Sequence, residues 1–209
     1  IALGKALSQT TIGNPLNEKV RMGALAGRSQ REEVRAQVQK LLSSSQLIYG
    51  SLDSVEVIDA DAMKGAFISP MLLLNEQPLR SSEIHEVEAF GPVATLMPYS
   101  GMDEAIHLAR MGKGSLCTTI VTADNLVARS YVLGAASHHG RILVLNQDCA
   151  RESTGHGSPL PLLVHGGPGR AGGGEEMGGI RGIRHYMQRT AIQGSPTTLT
   201  AVSGVYQPN

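Results

Sequence analysis

The stretch "SLCTTIVTADNLVARSYVLGAASHHGRILVLN" (residues 115–146) decides the fold. It opens with a β-branched, apolar run, continues as a helix-like segment that ends in glycine, and closes with the apolar run "RILVLN". Two apolar strands separated by a helix are typical of a βαβ unit, whose right-handed crossover makes the strands parallel. The stretch therefore predicts strands near 116–122 and 141–146, with a helix near 125–138 between them.

The same alternation extends upstream. "VATLMPY" (93–99) is a short apolar run, and "MDEAIHLARMGKG" (102–114) places apolar residues at helical spacing before two glycines. We expect a strand near 93–98 and a crossover helix near 102–111 in the same sheet. The predicted fold is α/β, a three-layer sandwich built on a mostly parallel sheet. The final residues, 196–209, are predicted to form an extended tail.

Composition excludes several classes of protein. Eighteen basic residues balance eighteen acidic ones among 209 residues, so neither nucleic acid nor an anionic membrane is an expected partner. No apolar run approaches the roughly 18 residues that a membrane span needs. The two cysteines suit neither a metal site nor a disulfide framework, which favours a reducing cytoplasm.

Three further patterns receive a structural interpretation. "GPGRAG" (167–172) has the spacing of a dinucleotide phosphate loop, but prolines precede it and two glutamates follow it. Cys117 lies within a predicted buried strand and Cys149 stands beside an aspartate, so neither is favoured as a nucleophile. Five histidines lack the spacing of a zinc site, so no metal is expected; they are His138, His139, His156, His165 and His185.

"EAFGPV" (88–93) leaves two interpretations open. Glu88 is either a solvated acid at the entrance of a strand or a carboxylate that accepts hydrogen bonds from the two hydroxyls of a ribose. In the second case Phe90 would pack beside the bound ring, and would also be a packing residue of the fold. Gly91 would permit a close backbone approach, and Pro92 would fix the entry into the strand.

Four segments, in order, resemble motifs of the aldehyde dehydrogenase superfamily. They are "IGNPLNEKVRMGAL" (12–25), "KGAFISPMLL" (64–73), "EAFGPV" (88–93) and "HGRILVLN" (139–146). The resemblance implies that residues 1–195 are the C-terminal portion of that family's catalytic domain. It implies that Glu88 binds the nicotinamide ribose of NADP or NAD, that Phe90 packs near it, and that Asn146 is structural.

The segment 155–196 is similar to one branch of the family, the dehydrogenase half of bifunctional phenylacetate-degradation proteins. That resemblance implies oxidation of a CoA-linked semialdehyde, a C-terminal hydratase domain as partner, and a homo-oligomer. It places Ser158 and His165 near the aldehyde tunnel.

The family's nucleophilic cysteine and general-base glutamate match nothing here and are expected ahead of residue 1. On that basis we expect no catalytic residue in this chain and no activity of the chain alone. The alternative is a non-catalytic remnant that serves as an oligomerisation or binding module.

Overall fold

The computed structural model describes residues 1–153, 155, 165–171, 183 and 187–208. The chain divides into two compact units, Ile1–Pro98 and Tyr99–Asn209. Among the described residues, no helix is both long enough and apolar enough to span a membrane.

The first unit combines three helices with a small mixed sheet. Its helices are α1 (Ala2–Leu7), α2 (Arg28–Leu41) and α3 (Glu83–Glu86). Its strands are β1 (Gln46–Tyr49), β2 (Met71–Leu74) and β3 (Val93–Leu96), in the order β1-β2-β3. The β1–β2 pair is antiparallel and the β2–β3 pair is parallel, with Met71 opposite Val93.

Helix α2 closes the core of the first unit. Val34 and Val38 are fully buried and Leu41 is nearly so, because their spacing places them on one face of the helix. They pack with Met71 and Leu73 of β2. Each such side chain contributes about 1.5–3 kcal/mol through burial, and together they fix α2 beside the sheet.

The second unit is built on a fully parallel sheet, in the order β4-β5-β6. Its strands are β4 (Ser115–Val121), β5 (His139–Leu145) and β6 (Ala191–Gln193). Its α-helices among the described residues are α4 (Met102–Met111), α5 (Asn125–Ala135) and α6 (Pro196–Ser203). The predicted parallel β4–α5–β5 unit is confirmed, and with it the α/β fold.

Strand β5 is buried along nearly its whole length. Ile142 and Val144 point to α5, where Ala128 and Val132 complete an apolar cluster. His139 and Arg141 alternate with them and are also buried, at 3% and 9% exposure. Burial, with His138 nearby, lowers the pKa of His139 to about 4, so the imidazole is neutral at physiological pH.

Two expectations are wrong, one about the connection through α4 and one about the C-terminal residues. Strand β3 belongs to the sheet of the first unit and β4 to that of the second, so α4 is not a crossover within one sheet. The C-terminal residues do not form an extended tail, because Pro196–Ser203 is helical.

The local sequence explains the C-terminal helix. The Ser195 side chain accepts a hydrogen bond from the Thr198 N–H, Pro196 occupies the first turn, and Gly204 ends the helix in the left-handed conformation. Val202 is 3% exposed and joins the core cluster of α5. Start, stop and burial signals together outweigh the β-branched composition of this segment.

Candidate functional site

The segment Glu88–Pro92, here called the cofactor loop after the ribose-binding role that the resemblance implies for Glu88, connects α3 to β3. Its last residues begin the parallel pairing, since the Pro92 carbonyl accepts a hydrogen bond from the Met71 N–H at 2.9 Å. The Gly91 carbonyl accepts one from the Val93 N–H at 2.7 Å. Proline suits this position because its carbonyl is used and its missing N–H is not needed.

The middle of the loop has an unusual backbone. Phe90 has φ +39°, in the left-handed region that side chains other than glycine rarely adopt. Gly91 lies directly on α2, where a Cβ at position 91 would stand 2.8 Å from a Val34 methyl group. Glycine is therefore favoured here, because a side chain would have to displace Val34 or move the loop away from the helix.

The cofactor loop forms one wall of a cavity of about 470 Å³ within the first unit. The cavity is lined by residues of α2, α3 and β3, by Val87 after α3 and by the loop itself: Leu41, Ile84, Val87, Glu88, Ala89, Phe90, Gly91, Val93 and Thr95. Glu88 is exposed at this cavity. No described residue donates a hydrogen bond to its carboxylate, so its oxygens are free to accept bonds from a ligand.

The structure thus brings Glu88 and Phe90 together on one cavity. The expectation that Phe90 is also a packing residue of the fold is wrong, because the side chain is 74% exposed. The neighbouring Ala89 is buried in its place, at 9% exposure. The positive φ of Phe90 accounts for this change from buried to exposed, because the chain leaves the core at this residue and its ring faces solvent.

Of the two residues predicted near an aldehyde tunnel, Ser158 lies outside the described residues. His165 is half-buried in the second unit, where its Nδ1 accepts a hydrogen bond from the Gly167 N–H at 3.2 Å. Its ring packs against Gly140 of β5. Burial, followed by the charge of Arg141, lowers the pKa of His165.

The "GPGRAG" segment is not arranged as a phosphate loop where it is described. Residues 165–168 form no strand, and a short 3₁₀ turn covers Gly169–Ala171. The turn packs against the residues that precede β4, and the Arg170 N–H donates a hydrogen bond to the Lys113 carbonyl at 3.2 Å. A Cβ on either Gly114 or Gly169 would collide with backbone atoms of the other segment, so these glycines serve packing.

The cysteines and histidines form no reactive cluster in the described part of the chain. Cys117 lies within β4, and the Cys149 thiol donates to the Val144 carbonyl at 3.4 Å. Across the residues that the structure describes, no group of three metal-ligating side chains could hold an ion. Asn146 bridges from the end of β5 to Thr198 of α6 at 2.9 Å, which is a structural contact.

Sequence reasoning missed the part that α2 takes in the site. Leu41 lines the cavity, Val34 contacts Gly91, and the Gln30 side chain donates to the Phe90 carbonyl at 3.1 Å. The helical spacing of the apolar residues indicated a buried face. Nothing in the sequence indicated which loop that face would contact.

Comparison with known proteins gives a consistent result. The model of the aldehyde dehydrogenase family matches residues 2–192. The protein MaoC of Klebsiella aerogenes is 54% identical over 183 residues, which cover 87% of this chain and 52% of that protein. A 3,4-dehydroadipyl-CoA semialdehyde dehydrogenase of Aromatoleum evansii is 36% identical over 167 residues, covering 80% of this chain and 32% of that protein. The chain thus spans about half the length, or less, of these relatives.

Solved structures agree on the fold. Aldehyde dehydrogenase C of Pseudomonas syringae, a mutant crystallised with NAD+ and octanal, superposes with a TM-score of 0.66 at 23% identity. The match covers 88% of this chain and 34% of that one. A betaine aldehyde dehydrogenase of Staphylococcus aureus in complex with NAD+ gives a TM-score of 0.58 at 20% identity, over 68% of this chain and 28% of that one.

Proposed function

Because the chain belongs to the aldehyde dehydrogenase family, we propose that it forms part of an NAD(P)-dependent enzyme that oxidises an aldehyde to an acid. The observation that carries the proposal is the cofactor loop. It places a carboxylate without a described hydrogen-bond donor, Glu88, and an exposed aromatic ring, Phe90, on the same cavity. A ligand that carries two vicinal hydroxyls on a ring matches both groups.

The chemistry of these residues fits a nicotinamide nucleotide. The two oxygens of Glu88 would accept hydrogen bonds from the two ribose hydroxyls, and bonds to a charged acceptor are the stronger kind. Phe90 would lie against the ribose, and Leu41 and Val87 would exclude water from the apolar side. When bound, a nicotinamide supplies the hydride acceptor. The part of this chain is to fix the position of that acceptor.

For the substrate, we propose a CoA-linked semialdehyde of phenylacetate degradation. Support comes from the relative at 36% identity, whose name includes a CoA semialdehyde. The proposed cofactor is NADP or NAD. We further propose that the complete protein is a cytoplasmic homo-oligomer. The proposed partners of this chain are the N-terminal part of the dehydrogenase and a C-terminal hydratase domain.

We also propose that neither cysteine of this chain is the nucleophile. The Cys149 thiol is engaged with the Val144 carbonyl, and Cys117 belongs to a strand. In the complete enzyme, Cys117→Ala and Cys149→Ala should each leave the rate of aldehyde oxidation within about twofold. Loss of turnover in either variant would contradict this assignment.

The decisive experiment for the proposed function is Glu88→Gln in the complete enzyme. The amide retains the shape and one acceptor but loses the charge, so the ribose is held less firmly. Hydride transfer should fall by roughly 10- to 100-fold, with little change in melting temperature. Glu56→Gln, at an exposed acid that does not line the cavity, is the matched control.

Two results would count against the cofactor role. Hydride transfer equal to that of the control, together with a melting temperature lowered by several degrees, would make Glu88 structural. A complete protein that binds no nicotinamide nucleotide would favour the alternative, a non-catalytic binding or oligomerisation module.

A further inference from the structure

We propose that Gln30 of α2 is a positioning residue that holds the cofactor loop in its ligand-ready conformation; the inference rests on the proposed function of that loop. Gln30 does not line the cavity. It acts on the loop through the backbone of Phe90, by a contact that no periodicity in the sequence indicates.

Both polar atoms of the Gln30 side-chain amide form hydrogen bonds. Its Oε1 accepts a hydrogen bond from the Ala26 N–H at 3.1 Å, and its Nε2 donates one to the Phe90 carbonyl at 3.1 Å. The first bond anchors the side chain to the segment that enters α2. The second joins that anchored group to a loop 60 residues further along the chain.

A second contact lies one helical turn away. Val34 follows Gln30 by four residues, so the two side chains project from the same face of α2. Val34 is fully buried, and Gly91 lies against its methyl groups. The helix therefore supports the loop at consecutive residues, by a hydrogen bond at Phe90 and by packing at Gly91.

Phe90 needs support from outside the loop, because its own side chain gives none. Phe90 occupies the left-handed region at φ +39°, which an unsupported chain would leave. Its ring is 74% exposed and does not anchor it in the core. The orientation of the Phe90 carbonyl is thus set by Gln30, and with it the direction in which the chain presents Glu88, two residues earlier.

Gln30→Glu separates the two roles of the side chain. A carboxylate can still accept from the Ala26 N–H, but it has no N–H to donate to the Phe90 carbonyl. Gln39→Glu is the matched control, since Gln39 is exposed on the same helix and makes the same change of charge. Gln30→Met, similar in length and uncharged, is measured if the Glu variant fails to fold.

The first measurement does not depend on activity. The chain has two phenylalanines, so labelling with 4-fluorophenylalanine gives two fluorine NMR signals, one from buried Phe67 and one from exposed Phe90. Phe90→Leu identifies the Phe90 signal. In Gln30→Glu this signal should shift or broaden while the Phe67 signal keeps its position. In Gln39→Glu both signals should stay as in the parent chain.

The second measurement uses the complete enzyme. Gln30→Glu should raise the KM for the nicotinamide nucleotide by roughly 3- to 10-fold, the range for one lost hydrogen bond, and leave the KM for the aldehyde within about twofold. A Phe90 signal that does not respond to Gln30→Glu would overturn the inference and leave the proposed function intact. A shifted signal with an unchanged KM for the nucleotide would overturn the cofactor role of the loop.

Discussion

The cofactor loop and strand β5 differ in backbone conformation and in the burial of their side chains. Strand β5 has regular backbone geometry, and six of its seven residues are buried. The loop exposes its acid and its aromatic ring and contains a residue in the left-handed region. In β5 side-chain burial determines the backbone, whereas in the loop contacts from another element do. We therefore expect substitutions in β5 to affect mainly stability and, under the proposed function, substitutions in the loop to affect mainly ligand binding.

The largest expected effect tests the stability side of this contrast. Ile142→Ala, at a position with 0% exposure in β5, leaves a cavity against α5 and should lower the free energy of unfolding by about 2–5 kcal/mol. Leu133→Ala, at 66% exposure on α5, should change it by less than about 0.5 kcal/mol. Urea denaturation of the two variants measures both values. Equal losses would mean that the β5 core contributes no special stability.

The second effect is a pH dependence located in β5. The pKa of His139 is about 4 in the folded chain against 6.5 for the free side chain, so the unfolded chain binds more protons between these values. The contribution of the neutral His139 to the free energy of unfolding is fully present above pH 6.5. It is lost as the pH decreases towards 4, which lowers the free energy of unfolding by about 3 kcal/mol. Urea midpoints at pH 7 and pH 4.5 measure this loss.

Substitution at His139 assigns that pH dependence. His139→Gln should remove most of the difference between the two urea midpoints, whereas His107→Gln, at an exposed position of α4, should retain it. A midpoint difference that survives in His139→Gln would place the titrating group elsewhere.

The third effect returns to the cofactor loop. Gly91→Ala introduces a Cβ 2.8 Å from Val34 and should cost about 1–3 kcal/mol by overpacking. Adding Val34→Ala removes the obstructing methyl groups, so the double variant should lose less than the sum of the two single changes. Gly23→Ala, with no atom within 4 Å of the new Cβ, is the control. Strict additivity would show that the loop does not rest on α2.

The smallest expected effect on stability is that of Phe90→Ala, which tests whether the loop contributes to the core. Phe90→Ala should change the free energy of unfolding by less than about 0.5 kcal/mol, because the ring is 74% exposed. In the complete enzyme it should still slow hydride transfer, since the ribose loses a neighbour. A loss of stability similar to that of Ile142→Ala would contradict the exposure of this ring.

The contrast also explains what the sequence could predict. The β4–α5–β5 unit follows from apolar runs and helical spacing, and the run of β5 is the clearest because that strand is buried on both faces. Glu88 and Phe90 are singled out through a motif, and their binding role stays a prediction. The left-handed backbone of Phe90 and the hydrogen bond from Gln30 could not be predicted, because both depend on how a distant helix meets the loop.

Helix α6 shows a different limit. Residues Thr197, Thr198, Thr200 and Val202 are β-branched, and local propensity favours extended structure. The helix forms because its first residues are capped and because Val202 is buried against α5. Cap signals were present in the sequence at Ser195, Pro196 and Gly204, and they were better evidence than residue propensity.

The packing of α6 on α5 has a practical consequence for anyone producing this protein. Arg129 of α5 donates to the carbonyls of Ala201 and Val202, so the two helices are joined by hydrogen bonds as well as by apolar contact. Ending the chain at residue 195 would uncover the apolar side of α5, which contains Ala128 and Val132. Such a surface promotes aggregation, and a shortened version that retains residues up to Gly204 should remain in solution at higher concentration.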